Sequence, residues 1–150
     1  MSAPEIRKAC PADVDAICAL GHSDPAFAVS ETIRFYERAE VEGWIADGKD
    51  SVFLVACVDG KVIGFLFCKV MSYHWAMLDN LYVEPAHRAS AVGSALLQVL
   101  RSELASRGTQ YLSTLADGDA MRTCRFLEHQ GFLPGRTYVW YEVFLSPPSQ

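Results

Sequence analysis

The feature that most constrains this chain is the run SVFLVACVDGKVIGFLFCKV, residues 51–70. Asp59-Gly60 sits between two apolar stretches, the strongest short-range signal for a two-residue hairpin turn. The run therefore reads as two antiparallel strands. A third strand, AMLDNLYV (76–83), follows and closes at Glu84-Pro85. From there the periodicity changes. Val92, Ala95, Leu96, Val99, Leu100 and Leu104 make a helical stripe, with Gly108 at the stop position. QYLSTLA reads as a strand, and DAMRTCRFLEHQGF as a helix behind Asp119 that ends at Gly131. TYVWYEVFL is a last strand. It is apolar on both faces, so burial is expected.

The first part of the chain adds a short strand, EIRKAC, and two helices. PADVDAICALG carries Val14, Ile17, Cys18 and Leu20 on its apolar side, with Gly21 as its stop. A second helix is expected from Glu31 to about Ala46 behind Ser30 as N-cap, carrying Ile33, Tyr36, Val41 and Trp44. The order is β-α-α-β-β-β-α-β-α-β. Hairpins give way to β-α-β units, which makes a mixed α/β sheet with helices on its faces. No repeat or linker interrupts residues 1–150, so one domain is expected.

Composition narrows the function. The chain is 51% hydrophobic and 21% charged with net charge -5, which suits a globular protein. It has no basic run, so a nucleic-acid partner is not expected. The cysteines are Cys10, Cys18, Cys57, Cys68 and Cys124, an odd set of 5 with no C-x-x-C pair. That argues for reduced thiols, and against a disulfide framework or a zinc site. No apolar run approaches the ~20 residues of a membrane helix. The start, MSAPEIRKA, lacks the apolar centre of a signal peptide. A cytoplasmic, metal-free protein with no membrane partner is expected.

HRASAVGSALL, residues 87–97, carries the chemistry. A strand, a small-residue loop and a helix start together present free backbone N–H groups and the positive end of a helix dipole to an anion. Taken alone, the loop fits an ordinary small-residue turn at least as well. It has no G-x-x-x-x-G-K-[ST] of a P-loop and no G-x-G-x-x-G of a dinucleotide fold.

The order of elements and three motifs resemble the GNAT superfamily of acetyl-CoA-dependent N-acetyltransferases. LYVEPAHR is similar to that family's cofactor strand and loop approach. Arg88 to Gly93 is similar to its pyrophosphate motif, R/Q-x-x-G-x-G/A. CRFLEHQGF is similar to its late helix. LDNLYV, after YHWAM, resembles the diamine or polyamine branch, where an acid stands at the offset of Asp79. The resemblance implies an acyl-CoA N-acyltransferase fold of six to seven strands flanked by about four helices. It implies acetyl-CoA as co-substrate, with its pyrophosphate on the N–H groups of Ala89, Ser90, Ala91, Val92, Gly93 and Ser94. Arg88 would reach a phosphate, Leu81, Tyr82 and Val83 would line the amide-bearing arm, and Asp119, at the late-helix start, would also bind the cofactor. Three positions depart from the pattern. The asparagine that often begins the late helix is replaced by Asp119 or Ala120, depending on a one-residue shift. Ala91 replaces the first motif glycine, which suits the cradle if residue 91 keeps a helical φ. Leu127 replaces the tyrosine that often serves as general acid.

The reaction needs a base, because an alkyl ammonium with pKa about 10 must lose a proton before attacking a thioester. Asp79 is the first candidate, in an otherwise apolar strand where burial would raise its pKa. An exposed edge or a pairing arginine would make it structural instead. Strand alternation groups Met77, Asp79, Leu81 and Val83 on one face, with Leu78, Asn80 and Tyr82 on the other. Glu84 is the second candidate, although a strand-end turn gives it a plainer role. His74 titrates in the right range but falls at a hairpin tip. Tyr111, Tyr138, Tyr141, Cys124 and His129 are substitutes for the missing acid. Glu31, Glu37, Glu40 and Glu42 would draw a cationic acceptor or simply solvate a helix. Tyr36, Trp44, Tyr73 and Trp75 would line a pocket or fill a core. The expected function is acetyl transfer to a primary amine of a small polyamine- or amino-acid-like molecule, by a homodimer. The alternatives are acetylation of a protein N-terminus or lysine, and a non-catalytic acyl-CoA-binding module.

Overall fold

A computed structural model describes residues 2–28, 30, 33–88 and 90–146. Among them the chain forms five strands and four α-helices, in the order β1 (Glu5–Lys8), α1 (Val14–Ser23), α2 (Arg38–Ala46), β2 (Ser51–Val58), β3 (Lys61–Val70), β4 (Trp75–Val83), α3 (Val92–Ser106), β5 (Tyr111–Thr114) and α4 (Met121–His129). The sheet order is β1-β2-β3-β4-β5. The first four strands pair antiparallel and β5 joins β4 in parallel. The β2–β3 hairpin turns on Asp59 and Gly60, both at positive φ. That is the backbone a tight two-residue turn requires.

Each sheet face has its own core. On one side Leu54, Leu66, Cys68, Ala76 and Leu78 meet Val92, Leu96, Leu97, Leu100 and Leu104 of α3. On the other, Phe53, Phe65, Phe67 and Tyr82 meet Val14 and Ile17 of α1, Val41 of α2 and Phe35. Phe65 and Phe67 are fully buried, each worth about 1.5–3 kcal/mol of transfer free energy. At the start of the chain, Arg7 donates twice to Asp13, at 2.7 and 2.9 Å, and Cys10 N–H donates to the same carboxylate at 2.8 Å. These bonds hold the Asp13 carboxyl down at about 2 against the opposing effect of burial.

Five expectations change. The strand count is five, because TYVWYEVFL joins no strand of the described chain. It is exposed where burial was expected, with Tyr141 88% and Leu145 97% accessible. The second helix begins at Arg38, where Glu37 and Glu40 form a reciprocal capping box. The four acids at this helix do not share one place, because Glu37 and Glu40 cap its start, Glu42 pairs with Arg38 at 2.8 Å, and Glu31 lies outside the described residues. Gly21 lies inside α1 and does not end it. A Cβ there would come within 2.3 Å of the Phe35 ring, so the glycine makes room for that ring.

Candidate active site

The site begins with an irregularity in β4. Phe67 of β3 stands opposite Asn80, and Cys68 opposite Leu78, which leaves Asp79 without a cross-strand partner. One extra residue in a strand is a β-bulge. It reverses the inward–outward alternation beyond it and re-aims a side chain. The expected faces are therefore corrected. Leu78 lies on the α3 side together with Leu81 and Val83, while Tyr82 belongs to the opposite core.

The bulge falls where the sheet parts. β5 pairs with β4 from Trp75↔Tyr111 to Leu78↔Thr114 and no further. Beyond that point a cleft of about 510 Å³ opens, a size suited to a small-molecule site. Asp79, Leu81, Tyr82 and Val83 form one wall; Thr114, Leu115, Ala116 and Asp117 form the facing wall. Ala91, Gly93 and Ser94 at the start of α3 close one side, with Arg122, Thr123, Phe126 and Leu127 of α4 beside them. Asp24, Ala26 and Phe27 complete the rim. A second cavity, near Lys8, Trp44 and Arg107, holds only about 60 Å³ and shares no residue with the cleft.

Asp79 is held away from water without a compensating hydrogen bond. Its Oδ2 accepts none and lies 3.7 Å from Lys69 Nζ. Burial raises its pKa. The Lys69 ammonium also lies 5.2 Å from the Trp44 centroid and 5.5 Å from that of Tyr36. Glu84 lies outside the cleft lining, bonded to Lys61 at 3.2 Å and 3.3 Å from His87 Nδ1.

The loop before α3 is anchored by its own side chains. Arg88 Nε donates to the Val83 carbonyl at 2.7 Å, and its other end lies 3.5 Å from Asp24. Ser90 Oγ donates to the His87 carbonyl at 2.6 Å. Ala91 adopts φ 60, ψ 14, the left-handed region. The condition of a helical φ is thus not met. The position uses the conformation a glycine takes freely, and alanine pays for it in strain. Among the described residues, the amides of Ala91, Val92, Gly93 and Ser94 find no carbonyl partner. Such amides at the N-terminus of a 15-residue helix fit a pyrophosphate. The side chain of Val92 is buried in the core, and Tyr82 stacks on Phe65 with centroids 5.7 Å apart. Ala89 lies outside the described residues.

Other sequence candidates fall elsewhere. The amide of Asp119 donates to Asp117 Oδ1 at 2.9 Å, and Asp117 and Ala120, not Asp119, line the cleft. Leu127 lines it where a tyrosine would be the acid. Tyr111, Tyr138 and Tyr141 are exposed outside the cleft, and His129 also lies outside it. The Cys124 thiol, likewise outside, donates to the Asp117 carbonyl at 3.5 Å. Tyr36 and Trp44 pack against the core around Phe67, while Tyr73 and Trp75 face solvent. His74 stands exposed in the β3–β4 connection. Asp24, Asp117 and Arg122 were not picked out from sequence. Each lies on or beside a loop, and only the meeting of loops distant in sequence marks them. No group of three or more side chains able to hold a metal occurs among the described residues, and no described helix is long and apolar enough to cross a membrane.

Comparison with known proteins agrees with this geometry. The acetyltransferase (GNAT) family pattern matches residues 20–132. An aminoglycoside N(6')-acetyltransferase type 1 of Stenotrophomonas maltophilia is 25% identical over 160 residues, covering 97% of this chain and 97% of that protein. The aminoglycoside N-acetyltransferase AAC(6')-Iy in complex with CoA superposes with a TM-score of 0.80 at 15% identity, covering 95% and 96% of the two chains. The PaiA N-acetyltransferase of Thermoplasma acidophilum in complex with coenzyme A gives 0.74 at 20% identity, covering 85% and 89%. At these identities the two structures speak for the fold. A mixed sheet that parts beside a helix start with unpaired amides, in a chain matched by this family over most of its length, leads to one conclusion: the protein belongs to the acetyltransferase (GNAT) family and is an acetyl-CoA-dependent N-acetyltransferase.

Proposed function

We propose that this enzyme acetylates a primary amine of a small polycation, a polyamine or an amino sugar, with Asp79 as the base. The observation that carries the reading is the unbonded, half-buried Asp79 carboxylate facing the cleft where β4 and β5 part. Asp24, Asp79 and Asp117 line the cleft together with Arg88 and Arg122, and Asp24 faces Arg88 at 3.5 Å, which leaves Asp79 and Asp117 as the carboxylates available to an acceptor ammonium. Similarity to an aminoglycoside acetyltransferase supports the amino-sugar class, and the placing of Asp79 before LYV supports the polyamine class.

In this reading acetyl-CoA supplies an activated thioester. The free amides from Ala91 to Ser94 hold its pyrophosphate, the Ser90 amide being taken up by the His87 carbonyl at 3.3 Å, and Leu81 to Val83 flank its arm. Asp79, directly or through water, takes a proton from the acceptor ammonium. The free amine attacks the thioester carbonyl, the carbon–sulfur bond breaks, and CoA leaves as a thiolate that takes up the second proton shed by the new amide nitrogen. A thiol has pKa about 8.5, so the thiolate departs tolerably without a tyrosine at position 127. Residues 1–150 act as one cytoplasmic catalytic domain, paired as a homodimer.

Thiol release from acetyl-CoA, followed across spermidine, putrescine, lysine, an aminoglycoside and short peptides, tests the reading. Turnover is expected with the first two or the aminoglycoside. Turnover confined to peptides would shift the assignment to a protein acetyltransferase. CoA binding with no turnover on any acceptor would overturn it.

A further inference from the structure

We propose that Lys69 is itself an acetyl acceptor: without an outside amine, the enzyme transfers the acetyl group of acetyl-CoA to the Lys69 ε-amine of its own chain. The inference rests on the reading of Asp79 as the base. The chain's lysines are Lys8, Lys49, Lys61 and Lys69. Lys8 and Lys61 stand in solvent, 71% and 69% exposed at the side chain, and pair with Glu103 and Glu84. Lys49 is exposed as well. Lys69 differs. Its side chain is 36% exposed, and its Nζ lies 3.7 Å from Oδ2 of Asp79, a residue that lines the cleft. At that distance no hydrogen bond forms, and Asp79 Oδ2 stays unbonded. A charge-assisted pair built for stability closes to about 2.7–2.9 Å. Lys69 therefore holds an amine beside the base without sealing it.

The aromatic residues around Lys69 explain why its amine rests there. The ammonium lies over three rings, 5.2 Å from the Trp44 centroid, 5.5 Å from that of Tyr36 and 5.6 Å from that of Phe67. Cation–π attraction acts on the charged form. Once Asp79 takes a proton, that attraction is gone, and the neutral amine on its flexible four-carbon stem is free to turn toward the cleft. The transfer balances. The free ε-amine attacks the thioester carbonyl, a carbon–nitrogen bond forms and the carbon–sulfur bond breaks. CoA leaves with the electron pair as a thiolate and takes up the second proton, shed by the new amide nitrogen. Asp79 returns its proton to water. An outside ammonium needs the same carboxylate, so the two acceptors compete for it.

Incubation of the full chain with isotope-labelled acetyl-CoA and no added amine, followed by peptide mass spectrometry, tests this. Label is expected on Lys69 far ahead of Lys8, Lys49 and Lys61, and Lys69→Arg is expected to lose it. Label spread evenly over these lysines, or none on Lys69, overturns the proposal. The rate per chain should not change with protein concentration, and a rate that climbs with it overturns transfer within one chain. Asp79→Asn should slow the labelling by roughly 10²–10⁴. Unchanged labelling in a variant that is slow on outside amines overturns this proposal alone, and a variant unimpaired on both overturns the base reading with it. If that variant fails to fold, excess free CoA added to the native chain decides. It should suppress the label, and labelling indifferent to it is ordinary chemical acetylation, which overturns the proposal. Turnover of outside amines with Lys69 left unlabelled would overturn self-acetylation and leave the catalytic reading standing.

Discussion

At the scale of single residues, Asp79 and Ala91 each hold a costly state. Asp79 keeps a carboxyl in a place where burial disfavours its charge. Asp79→Asn is expected to slow acetyl transfer by roughly 10²–10⁴ near neutral pH. The loss should shrink toward pH 10, where free amine is abundant. A pH–rate profile with equal loss throughout would argue against a base. The same substitution has a stability signature. A carboxyl whose folded pKa is raised stabilises the fold least when ionised, and stability declines as pH rises through that raised value. Asp79→Asn should therefore raise the melting temperature at neutral pH and lose this advantage below the ordinary value of 3.8. Ala91 holds a left-handed φ of 60. Ala91→Gly should relieve about 0.5–1 kcal/mol of strain and raise the melting temperature by roughly 2–4 °C per kcal/mol. CoA affinity should be kept or increased, and calorimetry showing a loss would overturn this account of the loop.

At the scale of elements, the packing of α3 against α4 depends on Gly93. A Cβ there would meet Phe126 Cζ at 3.1 Å and Cε2 at 3.4 Å. The glycine therefore serves the contact between helices and also lines the cleft. Gly93→Val should displace Phe126, weaken CoA binding and cost about 1–3 kcal/mol of stability. Gly93→Ala should do less of each, as thermal melts and CoA titration would show. The link between β1 and the turn before α1 depends on Arg7 and Asp13. Asp13 is buried while Arg7 is 36% exposed at the side chain, so the pair is worth less than one fully shielded from water. Asp13 has a depressed pKa of about 2. Its contribution is present above 3.8 and is lost as pH falls through about 2. Arg7→Met should cost roughly 1–3 kcal/mol at neutral pH. That cost should fade in acid as Asp13 takes up a proton, a difference that urea unfolding at the two pH values would reveal.

At the scale of the whole molecule, two sheet faces carry two separate cores, and the cleft opens at the one line where the sheet parts. Ligand there binds only the folded state. CoA at a hundred times its dissociation constant should add about 2.7 kcal/mol of stability, and a melting curve unmoved by CoA would place the cofactor elsewhere. The sequence by itself determined the order of elements from β1 to α4, the Asp59-Gly60 hairpin, the apolar stripe of α3 and the position of the loop before it. These signals arise within a few residues, from turn geometry and side-chain period, and need no distant partner. It also led to a strand at residues 137–145, which the described chain does not form. What that strand packs against depends on a surface outside its own window, which is why expected burial became exposure. Only the tertiary structure decided the rest. A bulge at Asp79 is a mismatch in register between β3 and β4, invisible to the alternation of either strand alone. The left-handed Ala91 follows from how the loop must join β4 to α3. Asp24, Asp117 and Phe126 reach one cleft because strands and helices far apart in sequence converge where β4–β5 pairing stops, and register and convergence are properties of pairs of segments.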